Sequence, residues 1–442
     1  MKTAINNISN NKIKLDIQPS IRKWNDLIAR PYSNNEIHTK KIKSILKDVR
    51  INGDKALKKY TFKFDGVRID NLKVTVKEIN ESVEMISPEL KKAILHAKKN
   101  IELFHEAQKE KSIKIKTDEG VTCWRKSVPI EKVGLYIPGG NAPLFSTLLM
   151  LAIPAMAAGC REIIITTPPA KDGTVHPALL YVCKILGLQN IYKVGGAQAI
   201  AAMAYGTETI PSVYKIFGPG NQFVSTAKQL VNQDGIAIDL IAGPSELAVY
   251  ADESCIPQLV AADLLSQAEH GPDSQVILVA STKELATEIS EFVDDQMQVL
   301  PRKHFIEQSL KNSKFIVIKK AEDAFKFLNL YAPEHLIIAS EKAITLSEMV
   351  INAGSVFIGN FSSESAGDYA TGTNHTLPTS GFAKTHSGVS LDSFVKKITF
   401  QEVTKKGIST IGKTVQTLAE SEGLDAHAAA ITTRLKYLNK KL

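Results

Sequence analysis

The stretch VGLYIPGGNAPLFSTLLMLAIPAMAAGCREIIIT, residues 133–166, decides how this chain folds. Val133 to Ile137 is a short apolar run of strand length. It is cut by the loop Pro138-Gly139-Gly140-Asn141-Ala142-Pro143, and a helical pattern then runs to Ala158 and stops at Gly159. Ile163-Ile164-Ile165-Thr166 is the next strand. From Gly134 to Cys160 no residue is charged, but glycines and prolines break the run too often for a membrane span. Strand, glycine loop, buried helix and strand make a parallel βαβ unit.

Working downstream, the unit recurs. Pro177 to Leu186 is helical, and Asn190 to Val194 runs into Gly195-Gly196-Ala197-Gln198. Tyr214 to Phe217 runs into Gly218-Pro219-Gly220-Asn221, and Ile236 to Leu240 into Ala242-Gly243-Pro244-Ser245-Glu246. A second series follows, with helices from Ile256 to His270, Lys283 to Asp294, Ala321 to Leu330 and Lys342 to Val350. Its strands are Gln275 to Ala280, Phe315 to Ile318, Leu336 to Ala339 and Ser355 to Ile358. Upstream, residues 1–24 read as an arm, Asn35 to Gln108 as helices punctuated at Asn52-Gly53 and Ser87-Pro88, and Ile113 to Lys132 as a β-hairpin. Beyond about Ser362 the chain is rich in Gly, Ser and Thr, then forms helices over Thr410–Glu420 and Ala426–Leu438.

The expected fold is therefore α/β, with two doubly wound, Rossmann-like parallel-sheet domains. Their expected limits are 25–132 with 241–380 for the first and 133–240 for the second, flanked by the arm 1–24 and a helical tail 381–442.

Composition bounds the function. The chain has 442 residues, is 44% hydrophobic and 23% charged, and carries a formal charge of +8. The excess lysines are scattered, with no Arg-rich, aromatic-interleaved stripe of the kind that binds nucleic acid. Cys123, Cys160, Cys183 and Cys255 lie far apart and suggest neither a disulfide framework nor a thiolate metal site, which fits a reducing cytoplasm. Cys160, after the helix-ending Gly159, is open to two readings, a small buried hydrophobe or a nucleophile. The first residues, MKTAINNISNNKIKLDIQ, have neither an apolar core nor a cleavage site of the secretory kind.

Four constellations could carry chemistry. Loops 138–143, 195–198, 218–221 and 243–246 follow strand ends, where an open parallel sheet binds phosphates and nucleotides. Gly218-Pro219-Gly220 is an incomplete dinucleotide fingerprint: Phe223 or Val224 replaces its third glycine, and no acidic residue clearly closes the following strand. Gln267 and His270 share one helical stripe, either as a satisfied helix end or as half a metal site. Tyr331-Ala332-Pro333-Glu334-His335-Leu336 sets a carboxylate beside an imidazole at a helix-to-strand junction, an acid/base pair or merely a surface Glu next to a half-buried His. The segment Glu364 to His375, rich in small residues, reads as a loop. Glu422 and His427 flank an N-cap, Asp425, and by themselves mark an exposed helix start.

Together LLSQAEHGPDSQ (264–275), YAPEHL (331–336), SAGDYATGTNHTLPT (365–379), FGPGN (217–221), AGPSE (242–246) and EGLDAHAAA (422–430) resemble the histidinol dehydrogenase family, over essentially the whole chain. The resemblance implies one Zn2+ per subunit, held by Gln267, His270, Asp368 and His427, the last reaching across an intertwined homodimer. It implies Glu334 and His335 as general bases. Substrate contacts would come from Ser245, His375 and Glu422, with His335 and the metal ligands. Tyr136, Gln198 and Asn221 would hold NAD. The implied reaction is oxidation of L-histidinol to L-histidine through bound L-histidinaldehyde with two NAD+, the last steps of histidine biosynthesis. His335 would take the alcohol and hydrate protons, and Glu334 would activate water. No membrane or nucleic-acid partner is implied.

Overall fold

The computed structural model describes residues 14–31, 36–139, 143–240 and 243–439. Residues 1–13 of the expected arm, Asn35, Gly140 to Ala142 of the first glycine loop, Ile241, Ala242 and the last three residues lie outside that description.

Two parallel sheets organise the chain. The first has five strands in the order Ile191–Lys193, Glu162–Thr167, Lys132–Tyr136, Lys215–Phe217, Ala237–Ile238. The second has six: Leu15–Ile17, Lys314–Val317, Gln275–Ala280, Glu246–Ala251, His335–Ala339, Ser355–Ile358. Numbering its five C-terminal strands in chain order, both sheets run 3-2-1-4-5, so the two α/β halves repeat one winding. Alternate residues on each strand enter different cores. Leu135 and Ile165 pack on one face of the first sheet, Tyr136 and Ile164 on the other. Leu247 and Leu278 lie on one face of the second sheet, Ala248 and Ile277 on the other.

The helix Phe145–Ala158 ends as the sequence requires, at Gly159 in the left-handed region with φ 90°. Ser87 caps the helix Pro88–Glu106, and at Gly53 (φ 46°) the long helix Glu36–Asp65 is broken.

Several expectations are corrected. Residues 36–106 were expected to join 241–380. Their apolar faces pack instead on the first sheet's layers: Ile42, Val49 and Leu57 share a core with Ile200, Met203 and Val224, while Ile94 and Ile101 meet Leu148 and Leu179. An amphipathic helix shows which face it buries, but not which surface covers it. The arm is only partly an arm. Leu15–Ile17 forms the edge strand of the second sheet, parallel to Lys314–Val317, and Trp24 and Leu27 enter its core. Nor is the C-terminal tail purely helical: Val395–Val403 pairs antiparallel with Val121–Pro129 in a three-stranded sheet completed by Lys114–Asp118. Glu246–Ala251, to which the sequence reading gives no element, is a central strand of the second sheet. The helix Lys303–Asn312 was also missed. Glu364–Tyr369, read as loop, is a short helix capped by Ser363 and buried through Glu364 and Gly367.

Candidate active site and cofactor cleft

The helix Ala321–Tyr331 stops because Pro333 forbids the helical region to Ala332, which turns to φ 53° while its N–H still reaches the Leu328 carbonyl at 2.8 Å. The chain then reverses into the strand His335–Ala339, with Glu334 just before it and His335 as its first residue. Gly354 lets the neighbouring strand come this close: a Cβ there would lie 2.6 Å from the Glu334 carbonyl oxygen. Both side chains are buried. The Glu246 N–H donates to the Glu334 carboxylate at 2.9 Å. Glu246 is itself paired with the Arg30 guanidinium at 2.5 and 2.9 Å, and Arg30 also donates to the Tyr331 carbonyl at 2.7 Å.

This pair lies at the amino ends of the second sheet, as its place at a helix-to-strand junction requires, and the topology brings the other site residues to the same end. A crossover helix runs antiparallel to the strands it joins. The helix Pro257–Ala268 leaves Ala251 at the carboxyl end and returns to Gln275, so its last turn, with Gln267, arrives at the amino ends; His270 follows two residues beyond the helix. The partial negative charge of a helix C-terminus favours a cation there. Glu364–Tyr369 packs on this helix and puts Glu364 and Asp368, four residues apart, on one face.

The ligand atoms of His270, Glu364 and Asp368 lie within 4.8 Å of one another. His335 Nδ1 is 3.8 Å from both Glu334 and Glu364, and its Nε2 is 3.7 Å from Asp368. Neither His335 nitrogen has a hydrogen-bond partner, nor do the amide oxygen and nitrogen of fully buried Gln267. Buried polar atoms are rarely left so. Their neighbours fit a divalent cation and a polar ligand: the carboxylate and imidazole donors of His270, Glu364 and Asp368 converge on one point.

Charge follows from burial. Burial lifts the Glu334 carboxyl to about 7 against the pull of His335, and the Glu364 carboxyl to about 8. Burial disfavours the His335 imidazolium, but the charges of Glu334, Glu364 and Asp368 outweigh it and hold its pKa up at about 10. Asp368 is pushed up by burial, yet its contact with His335 and the nearby His375 and His270 keep it below the usual carboxylate range.

At the carboxyl ends of the first sheet lies a cavity of about 800 Å³, lined among others by Tyr136, Gly139, Pro168, Gly196, Gln198 and Asn221. It flanks the point where strand order reverses, between Lys132–Tyr136 and Lys215–Phe217, as a nucleotide site in a doubly wound sheet should. The Tyr136 hydroxyl accepts the Gly196 N–H at 3.1 Å, and the buried Gln198 Oε1 has no partner. Gly218 (φ 123°) must be glycine, since a Cβ would lie 2.1 Å from the Tyr136 carbonyl oxygen. Asn221 caps the helix Gln222–Gln233. His375 joins the two regions: one ring nitrogen meets Thr147 Oγ1 at 3.2 Å, the other the Asp368 carbonyl at 3.0 Å.

The model of the histidinol dehydrogenase family matches residues 28–435. Histidinol dehydrogenase of Bacteroides thetaiotaomicron is 54% identical over 426 residues, covering 96% of this chain and 100% of that one. The belonging of the chain to a family is decided by that extent. The chain is a histidinol dehydrogenase family member. The Escherichia coli K12 enzyme is 48% identical over 418 residues, 94% of this chain and 95% of its own. A crystal structure of histidinol dehydrogenase from Elizabethkingia anophelis superposes with a TM-score of 0.95 at 51% identity, over 97% of this chain and 99% of that one. Membership makes the chain an NAD-dependent oxidoreductase.

Of the residues that the histidinol dehydrogenase resemblance singles out, the structure gathers Glu334, His335, His270, Asp368 and His375 around one point. Gln267 is buried near the end of the helix that leads to His270. Ser245 precedes Glu246, whose N–H holds Glu334. Tyr136, Gln198 and Asn221 share the cavity at the carboxyl ends of the first sheet. Glu422 and His427 stand apart: both are exposed, Glu422 at the C-cap of the helix Lys405–Ser421, which packs on the antiparallel sheet, and His427 in the helix Asp425–Asn439 packed against it. Glu364 was missed, although its spacing of four from Asp368 is the signal that could have found it. The loop 243–246 was misplaced, since it opens a strand of the second sheet and lines no part of that cavity. The thiol reading also falls away for Cys160, whose thiol burial pushes up to about 11.

Proposed function

We propose that the chain oxidises L-histidinol to L-histidine through L-histidinaldehyde, with zinc and two NAD+, in the last steps of histidine biosynthesis in the cytoplasm. The observation that carries this reading is the buried cluster at the amino ends of the second sheet, where His335 faces three carboxylates and Gln267 lacks any partner. Gln267, His270 and Asp368 would hold one zinc ion together with His427 of the partner subunit in a homodimer, and the exposed position of His427 on its own subunit suits that division. Bound there, zinc would fix the substrate by its amino and imidazole nitrogens. Ser245, His375 and Glu422 would complete the substrate contacts.

With a bound cation offsetting the carboxylates that hold its pKa up at about 10, His335 would be a neutral imidazole, and it takes the alcohol proton as hydride leaves the carbinol carbon for nicotinamide, giving the aldehyde. Glu334, whose carboxyl titrates near 7, removes a proton from water as it adds to the aldehyde carbon. His335 returns its first proton to the aldehyde oxygen as water adds and, neutral again, takes a proton from the hydrate as the second hydride leaves for the second NAD+. Tyr136, Gln198 and Asn221 would hold each NAD+ in turn, the free Gln198 Oε1 being an acceptor ready for an amide or hydroxyl donor. The test is NADH formation by the purified protein with L-histidinol and a panel of small alcohols and amino alcohols. Reduction specific to L-histidinol supports the reading; activity on the others but not on L-histidinol refutes it.

A further inference from the structure

Tyr136, Gln198 and Asn221 do not exhaust the polar groups of the cofactor cavity. Asp65, the last residue of the helix Glu36–Asp65, lines the same cavity. Its Oδ2 is buried and has no hydrogen-bond partner. Among the described residues no ion pair reaches it. Lys41 also lines the cavity, but its ammonium lies over the Phe64 and Phe223 rings, 5.9 and 6.0 Å from their centroids. Burial alone lifts the Asp65 carboxyl to about 6, so at neutral pH it is an anion without compensation.

The dinucleotide fingerprint gives this carboxylate a meaning. There, an acidic residue about 20 positions beyond the glycines accepts the adenosine ribose hydroxyls. In this chain that spacing falls on Asp239, which does follow the strand Ala237–Ile238, contrary to the sequence reading. Asp239 is committed elsewhere. It accepts the Gly218 N–H at 2.7 Å and the Leu240 N–H at 2.7 Å, and it is paired with buried Lys228. Its side chain is 1% exposed and cannot face a ligand. Asp65, from a helix far upstream in sequence, is a carboxylate that does line the cavity.

We propose that Asp65 accepts the vicinal hydroxyls of the adenosine ribose and sets the preference for the dinucleotide without a 2′-phosphate. The proposal rests on reading this cavity as the NAD site. A carboxylate can accept both hydroxyl protons of a ribose diol. A 2′-phosphate removes one of those donors and brings nearly two negative charges against a third.

Asp65→Asn keeps the shape and removes the charge; Asp65→Ala removes both. For each full-length variant and the parent, kcat/KM is measured with NAD+ and with NADP+, along with KM for L-histidinol. Calorimetric binding of NADH and NADPH gives the same comparison without turnover. The expected result is a roughly tenfold to hundredfold fall in kcat/KM for NAD+, mostly through KM. The NADP+ to NAD+ ratio should rise about tenfold or more, with the KM for L-histidinol unmoved. An unchanged cofactor ratio in both kinetics and binding overturns the role of Asp65, as does an equal loss toward both cofactors and substrate. If the parent oxidises L-histidinol with NAD+ in the same experiment, that failure leaves the proposed function standing. A parent that reduces no NAD+ removes the functional reading and this inference with it.

Discussion

His335 is ringed by Glu334, Glu364 and Asp368, more negative charge than one base needs. That excess suits a site which takes up a cation before it works. The proposed roles separate the two bases experimentally. Glu334→Gln keeps the size and loses the proton acceptor, so it should spare oxidation of L-histidinol to the aldehyde more than oxidation of the aldehyde itself. Stopped-flow or steady-state rates with each of the two substrates measure this; equal losses in both would contradict the assigned division. Asp65 makes a separate prediction about stability. Its folded carboxyl is raised from the ordinary 3.8 to about 6. A group raised in this way stabilises the fold below its unfolded value, and that contribution is lost as pH rises through 6. Asp65→Asn, which cannot ionise, should therefore gain in thermal midpoint relative to the parent between about pH 4 and about pH 7 and level off above that. A constant difference would show that burial does not disfavour this charge. Glu334 and His335 were legible only through their setting, because a Glu-His pair alone is ordinary. Glu364 was legible only through its spacing of four from Asp368, since its segment looked too small and polar to be buried.

Elements bring these residues together, and the rule that placed them is one of direction. Loops after the strands of the first sheet build the cofactor cavity, whereas the second sheet uses its amino ends, where returning helices deliver Gln267 and His270. The Arg30 to Glu246 pair secures that end, since Glu246 also presents the N–H that holds Glu334. Removing one member of a largely buried ion pair strands the other. Arg30→Met should cost about 3 kcal/mol in urea unfolding and lower kcat. Loss of well under 1 kcal/mol would mean that Glu246 holds its place without the guanidinium. Parallel strands were legible because burial on both faces makes them continuous apolar runs. Leu15–Ile17 was too short to register, and Val395–Val403 (VKKITFQEV), mostly exposed, has no such run. The glycine loops were found, but a loop does not reveal which strand it will open.

For the whole molecule, the sequence announced two α/β halves, and the common 3-2-1-4-5 order bears that out. The address of helices 36–106 was not legible, for it depends on complementary surfaces more than on periodicity. The same limit holds for Glu422 and His427, whose proposed partners belong to another subunit. If the site is shared, a His427→Asn chain mixed and refolded with a chain inactivated at Glu334 should regain activity, because one of the two sites in each mixed dimer is then intact. No recovery at equal dimer content would argue for a site complete within one chain. The most direct test of the central claim is the amount of NADH formed per L-histidinol consumed, with and without a zinc chelator. The account predicts two NADH per L-histidinol and a loss of activity with chelator that added zinc reverses; one NADH with free aldehyde accumulating, or full activity in metal-free protein, would contradict it.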